Sequence, residues 1–120
     1  MARILLVEDD PDVRMVMEHV LIDAGHEVEV CGMMAVGLRL LDRRAYDLVI
    51  ADGKLPDGTG IAVADRACAA GMKTLVITAY AFTLPAPARA QYDILLKPLR
   101  PAELVAAVEA ALADPGNRER

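Results

Sequence analysis

The sequence predicts an α/β fold, a doubly wound parallel sheet of five strands with helices on both faces. Short unbroken apolar runs such as Ile4–Val7 and Leu48–Ala51 alternate with stretches of helical period. The connections between them are short, so consecutive strands are joined through crossover helices and run parallel. The runs also stop abruptly at polar residues, which sets the edge of the sheet.

The first strand, Arg3 to Val7, ends in Glu8-Asp9-Asp10. Asp10-Pro11 then starts a helix, with Asp as N-cap and Pro at the first helical position. Val13, Val16, Met17, Val20 and Leu21 form its apolar stripe, and Gly25 closes it. His26 to Cys31 alternates as a second strand, with Val28 and Val30 on one face. Met33 to Arg44 is helical through Val36, Leu40 and Leu41. Leu48–Ala51 is a third strand running into Asp52, and Gly53 to Gly60 is a loop rich in Gly, Pro and Asp. Ile61 to Ala70 is a short helix closed by Gly71. Thr74–Ile77 is a fourth strand ending at Thr78, and Ile94–Leu96 a fifth ending at Lys97-Pro98. Pro101 to Ala113 is the last helix, followed by a polar tail from 114 to 120 that is expected to fray.

Composition narrows the function. At 120 residues the chain is one domain's worth. Hydrophobic residues make up 55% and aromatics 3%, so the core is aliphatic, with the six methionines expected to fill gaps in it. The formal net charge is −5 with no basic run, which argues against nucleic acid as a direct partner. Cys31 and Cys68 form no metal-type cluster and are read as reduced thiols. His19 and His26 lack metal-type spacing and are read as surface residues. No stretch is long and apolar enough to span a membrane, and none reads as a signal segment, so a cytoplasmic protein is expected.

Glu8, Asp9, Asp52, Thr78 and Lys97 each stand at the end of an apolar strand. In a doubly wound sheet, ligands bind outside the carboxyl ends of the strands, where strand order reverses. For the order 2-1-3-4-5 that crevice lies between strands one and three, so Glu8 and Asp9 would meet Asp52 there. Clustered carboxylates repel, and a hard divalent cation such as Mg²⁺ relieves the repulsion. A carboxylate attacking phosphorus also needs its product charge offset, which Lys97 and Thr78 could supply.

These residues resemble a known family. Leu5-Leu6-Val7-Glu8-Asp9-Asp10, Asp52 through Gly60, Val76-Ile77-Thr78-Ala79 and Leu96-Lys97-Pro98 are similar, in order, to the motifs of response-regulator receivers. The resemblance spans residues 1–113 and implies the flavodoxin-like receiver fold with strand order 2-1-3-4-5. It implies Mg²⁺ held by Asp9 directly, by Glu8 through water, by Asp52 and by the Lys54 backbone carbonyl. It implies that Asp52 is the phosphoacceptor, that Thr78 and Lys97 grip phosphoryl oxygens, and that Lys97-Pro98 is cis. The implied partner is a histidine kinase or a histidine phosphotransfer protein. Output would pass through contact with an unknown downstream protein or through onward phosphotransfer. Such a protein is no enzyme beyond its own phosphotransfer and dephosphorylation.

Two features depart from the family pattern. Most receivers carry Tyr or Phe three residues before the Lys, where this chain has Ile94; Tyr92 lies two residues earlier. The segment from Ala79 to Asp93 is short and holds Pro85 and Pro87, so the fourth helix should be short, displaced or absent. Tyr80 and Phe82 are then the candidates for an aromatic switch, against the plainer alternative that Phe82 is core and Tyr80 surface. Two other functions compete. A degenerate receiver would bind a partner without phosphorylation, but all five site residues are present. A Mg-dependent aspartyl phosphohydrolase is suggested by Asp57-Gly58-Thr59, but that chemistry needs a strand running straight into the motif, and Leu55-Pro56 precedes Asp57.

Overall fold

Among the described residues, 1–114 of the computed structural model, five strands form one parallel sheet in the order β2-β1-β3-β4-β5. The strands are β1 (Arg3–Val7), β2 (Glu27–Cys31), β3 (Leu48–Asp52), β4 (Lys73–Thr78) and β5 (Ile94–Leu96). The expected tail lies, from residue 115 onward, outside the described residues. β1 and β3 are central and buried on both faces, which is why they read as continuous apolar runs. The register pairs Val7 with Ala51, Asp52 with Ile77 and Thr78 with Leu96. The polar ends of four strands therefore arrive at one edge.

Side chains alternate across the sheet and feed two cores. Ile4, Leu6, Leu48, Ile50, Leu75 and Ile77 face α1 (Pro11–Asp23) and α5 (Pro101–Ala113), which bring Met17, Leu21, Leu104 and Val108. Leu5, Val7, Val49 and Ala51 face α2 (Met34–Arg43) and α3 (Gly60–Ala69), which bring Leu41, Val63 and Ala67. The helix starts follow from local chemistry. Asp10 Oδ1 accepts the Asp12 and Val13 amides at 2.9 and 3.2 Å, and Thr59 Oγ1 accepts the Ile61 amide at 2.8 Å. Gly25, at φ 97°, makes the reversal after α1 that a side chain would strain.

The segment after β4 holds only a short helix, and its prolines mark where that helix starts. A 3-10 turn at Ala81–Thr83 leads to the six-residue α4 (Ala86–Gln91), with Pro85 at its N-cap and Pro87 in its first turn. Tyr92 is buried there among Ala64, Val76, Leu84 and Ala88, and its hydroxyl donates to Asp65 on α3. Burial, with the Asp65 contact, pushes the Tyr92 phenol well above its ordinary value.

Four expectations need correction. His26 is buried, not superficial: its Nδ1 accepts the Ala2 amide at 3.1 Å, and its Nε2 lies 3.4 Å from Glu109. Val16 is 55% exposed, so the stripe of α1 is Val13, Met17, Val20 and Leu21. Met17, Met34 and Met72 pack into the cores, but Met1, Met15 and Met33 are exposed. Phe82 is 93% exposed and therefore not core. The burial contrast predicts that Leu6→Ala, at a fully buried position, costs about 3 kcal/mol. Val16→Ala should stay within about 0.5 kcal/mol. Urea unfolding of both variants checks the pair.

Candidate functional site

The site is built where β1, β3, β4 and β5 end. Glu8 follows β1 directly and is fully buried, its Oε2 accepting the Asp10 amide at 3.1 Å. Asp9, next in the chain, is exposed to the crevice. Asp52 closes β3 and is buried; its Oδ1 accepts the Lys54 amide at 3.1 Å. Thr78 closes β4, and its Oγ1 accepts the Tyr80 amide at 3.2 Å. Lys97 follows β5, and its amide donates to the Thr78 carbonyl at 2.9 Å, which fixes its backbone beside the crevice. Its ammonium reaches across β4 to Asp52 Oδ2 at 2.8 Å and to Glu8 Oε1 at 2.7 Å. The Lys97–Pro98 peptide is cis. Gly60 is required behind the site, because a Cβ there would overlap the Asp52 carbonyl.

One ammonium faces three carboxylates. Glu8, Asp9 and Asp52 each offer an oxygen within 4.8 Å of the others. Burial raises the Glu8 carboxyl above its ordinary value; the Lys97 contact pulls the other way, and the Asp52 charge adds to the rise. For Lys97, burial works to lower the ammonium value, but the bonds to Asp52 and Glu8 outweigh it and hold the value above that of an ordinary lysine. Lys97 is therefore firmly charged. Glu8 Oε1 pairs with that charge at close range, yet off the line a hydrogen bond prefers. An all-oxygen, net-negative cluster with an imperfectly satisfied buried oxygen fits a hard divalent cation such as Mg²⁺.

An open cleft of about 870 Å³ extends from Asp9 and Asp52 past Lys54 and Thr78 to Leu84 and Pro85. The structure thus brings Glu8, Asp9, Asp52, Lys54, Thr78 and Lys97 together. It does not bring in all the aromatic candidates. Tyr80 stands exposed on the rim of the cleft, Phe82 projects outward, and Ile94 is half-buried under α4. Two contributors escaped the sequence reading. Arg14 Nη1 donates to the Glu8 carbonyl at 2.8 Å, steadying the turn that bears the acidic pair. Asp57 accepts the Met34 and Ala35 amides at 2.7 and 2.9 Å, and those bonds, Ala35's first, hold its carboxyl below the usual range. The available signal was a gap: α2 has no Ser, Thr, Asp or Asn at its start, so its cap had to come from elsewhere.

Residues 4–109 match the family model of the response regulator receiver domain. The chain belongs to this family. Receivers are the modules of two-component signalling that histidine kinases phosphorylate, and they bind Mg²⁺ at an acidic pocket. They are signalling modules rather than enzymes acting on a separate substrate. This receiver is 32% identical over 108 residues to the two-component response regulator ARR11 of Arabidopsis thaliana, covering 85% of this chain and 21% of that protein. It is 32% identical over 116 residues to the transcriptional regulatory protein GlrR of Escherichia coli, covering 92% of this chain and 26% of that one. The chain thus spans about a quarter of the length of these curated relatives. Among solved structures, it superposes with a TM-score of 0.82 on the receiver domain of sensor histidine kinase PA1611 from Pseudomonas aeruginosa. That match is 27% identical and covers 92% of this chain and 97% of that one, whose active-site cleft coordinates a magnesium ion. The phosphohydrolase alternative loses its footing, since Asp57 sits in a loop and caps α2 instead of ending a strand. Among the described residues no helix is long and apolar enough to cross a membrane.

The buried charge on Glu8 carries a stability cost in the metal-free receiver. A carboxyl whose folded value is raised binds its proton more tightly when folded, so its contribution to stability falls as pH rises from 4.5 through that raised value. Glu8→Gln should therefore stabilise the metal-free protein at neutral pH, with Lys97 keeping Asp52 as partner, and the gain should shrink as pH falls towards 4.5. Thermal unfolding of both proteins across that range checks the sign.

Proposed function

We propose that Asp52 accepts a phosphoryl group from a phosphohistidine of a kinase or phosphotransfer partner, and that Lys97, Thr78 and a metal held beside them make this possible. The observation that carries the reading is the Lys97 ammonium 2.8 Å from Asp52 Oδ2, at the edge where Glu8 and Asp9 also converge. An Asp52 carboxylate oxygen attacks phosphorus and forms the new O–P bond. The P–N bond to the donor imidazole breaks, and the imidazole leaves with that electron pair. Lys97 offsets the charge on the transferred group, and the Thr78 hydroxyl donates to one of its oxygens. Asp9, Asp52 and the Lys54 carbonyl would hold Mg²⁺, with Glu8 acting through water. When bound, the cation neutralises charge on the phosphoryl oxygens. The site stands open to the cleft, so water could later hydrolyse the acyl phosphate on the same residues.

The exposed Tyr80 and the segment behind it are the proposed output. The Thr78 hydroxyl that would turn to the phosphoryl group holds the Tyr80 amide at 3.2 Å. Turning it loosens the start of a segment with few regular hydrogen bonds, which Tyr80 and Phe82 present to a partner protein. A protein partner or onward phosphotransfer suits the acidic surface better than nucleic acid.

Intact mass after treatment with acetyl phosphate and Mg²⁺ tests the chemistry. The native chain should gain one phosphoryl group, and Asp52→Asn should gain none. Lys97→Ala should react about a hundredfold more slowly. Uptake by Asp52→Asn at the native rate would refute the assignment. Amide exchange in the presence of a phosphoryl mimic should change from Ala79 to Asp93; equal protection in both states would remove this segment as the output.

A further inference from the structure

We propose that Asp57 is a positioning residue for the metal loop: it clamps the loop after Asp52 onto the first turn of α2 and so sets the direction of the Lys54 carbonyl. The inference rests on the reading above that this carbonyl is a metal ligand.

The clamp begins with two hydrogen bonds. The two carboxylate oxygens of Asp57 accept separate amides, Met34 at 2.7 Å and Ala35 at 2.9 Å. These are the first two residues of α2, whose own N-cap residue, Met33, makes no side-chain cap. The free amides of a helix start attract a carboxylate, and here the carboxylate is lent by a loop far away in sequence.

The link then passes through a tight turn. The Leu55 amide donates to the Gly58 carbonyl at 3.0 Å, and the Gly58 amide donates back to the Leu55 carbonyl at 3.2 Å. Asp57 sits inside this turn, so holding Asp57 holds Gly58. The Leu55 amide and the Lys54 carbonyl belong to one planar trans peptide and point in opposite directions. With the Leu55 amide tied to Gly58, the Lys54 carbonyl is turned away from the interior of the turn. The near side is tied as well, by the Lys54 amide on Asp52 Oδ1 at 3.1 Å. Leu55 and Met34 pack in the same apolar cluster, and Gly58 leaves room for the Met34 thioether. Movement of the first turn of α2 would therefore reach the Lys54 carbonyl through Asp57.

A cap on α2 and a clamp on the loop make different predictions. Mg²⁺ affinity is read by titration of the amide resonances, with every variant first shown to be folded at the working temperature. Asp57→Ala should weaken Mg²⁺ binding about tenfold, as loss of a supporting contact around a metal does. In the metal-free protein it should also speed exchange of the Leu55 amide. Met33→Ser, added to Asp57→Ala, gives α2 a cap of its own but does not restore the link to the loop. The double variant should keep the weakened affinity and the fast Leu55 exchange. Native affinity in Asp57→Ala, or affinity restored in the double variant, would overturn the proposal. Asp9→Ala, run alongside, separates this failure from that of the site itself. Affinity lost in Asp9→Ala but not in Asp57→Ala sinks the clamp alone, whereas affinity retained in both sinks the metal site.

Discussion

The Lys97 ammonium stands between Asp52 and Glu8, two carboxylates that the fold has taken out of water. Buried carboxylates are costly unless paired, and one lysine cannot balance these two and Asp9 together. The arrangement exists because parallel strands deliver all their carboxyl ends to one edge. β1 and β3 bring the acids, and β5 brings the lysine across β4. The excess negative charge is what makes the edge receptive to a divalent cation. The lysine is proposed to make it receptive, once a cation is bound, to a phosphoryl group. The stability given up at Glu8 and the chemistry proposed at Asp52 follow from the same crowding.

The rest of the structure holds that edge in place. Two aliphatic cores grip the sheet from either face, with Ile4 through Val7 fully buried. Backbone contacts leave little freedom nearby: the Gly53 amide donates to the Ile77 carbonyl at 2.7 Å, and the Lys97 amide to Thr78. Gly60 lets α3 start directly against the Asp52 carbonyl. The stretch from Ala79 to Pro85, attached to Thr78, holds a single 3-10 turn at Ala81–Thr83.

Strand ends were legible in the sequence because buried parallel strands are continuous apolar runs, and a carboxylate or lysine at the end of one is conspicuous. Asp52 and Lys97 stand out in this way, and Pro85 and Pro87 announce the short α4. Contacts between elements distant in sequence were not legible. Nothing near His26 says that the Ala2 amide will need its Nδ1, or that α5 will cover it. Val16 has the spacing of a core residue but falls on the solvent edge of its helix. Tyr92 was visible as an aromatic out of place, but its hydroxyl's partner on α3 was not. Asp57 looked like part of a hydrolase motif; only the fold shows it capping a helix that has no cap of its own.

This crowded edge is proposed to make Asp52, and no neighbouring group, the phosphoryl acceptor. Borohydride reduction of the phosphorylated protein converts an acyl phosphate into the corresponding alcohol, which peptide mass then locates. A single reduced position is expected at residue 52, in the tryptic peptide from Ala45 to Lys54. Label at Glu8 or Asp9, or phosphate on His19 or His26 that resists reduction, would contradict it.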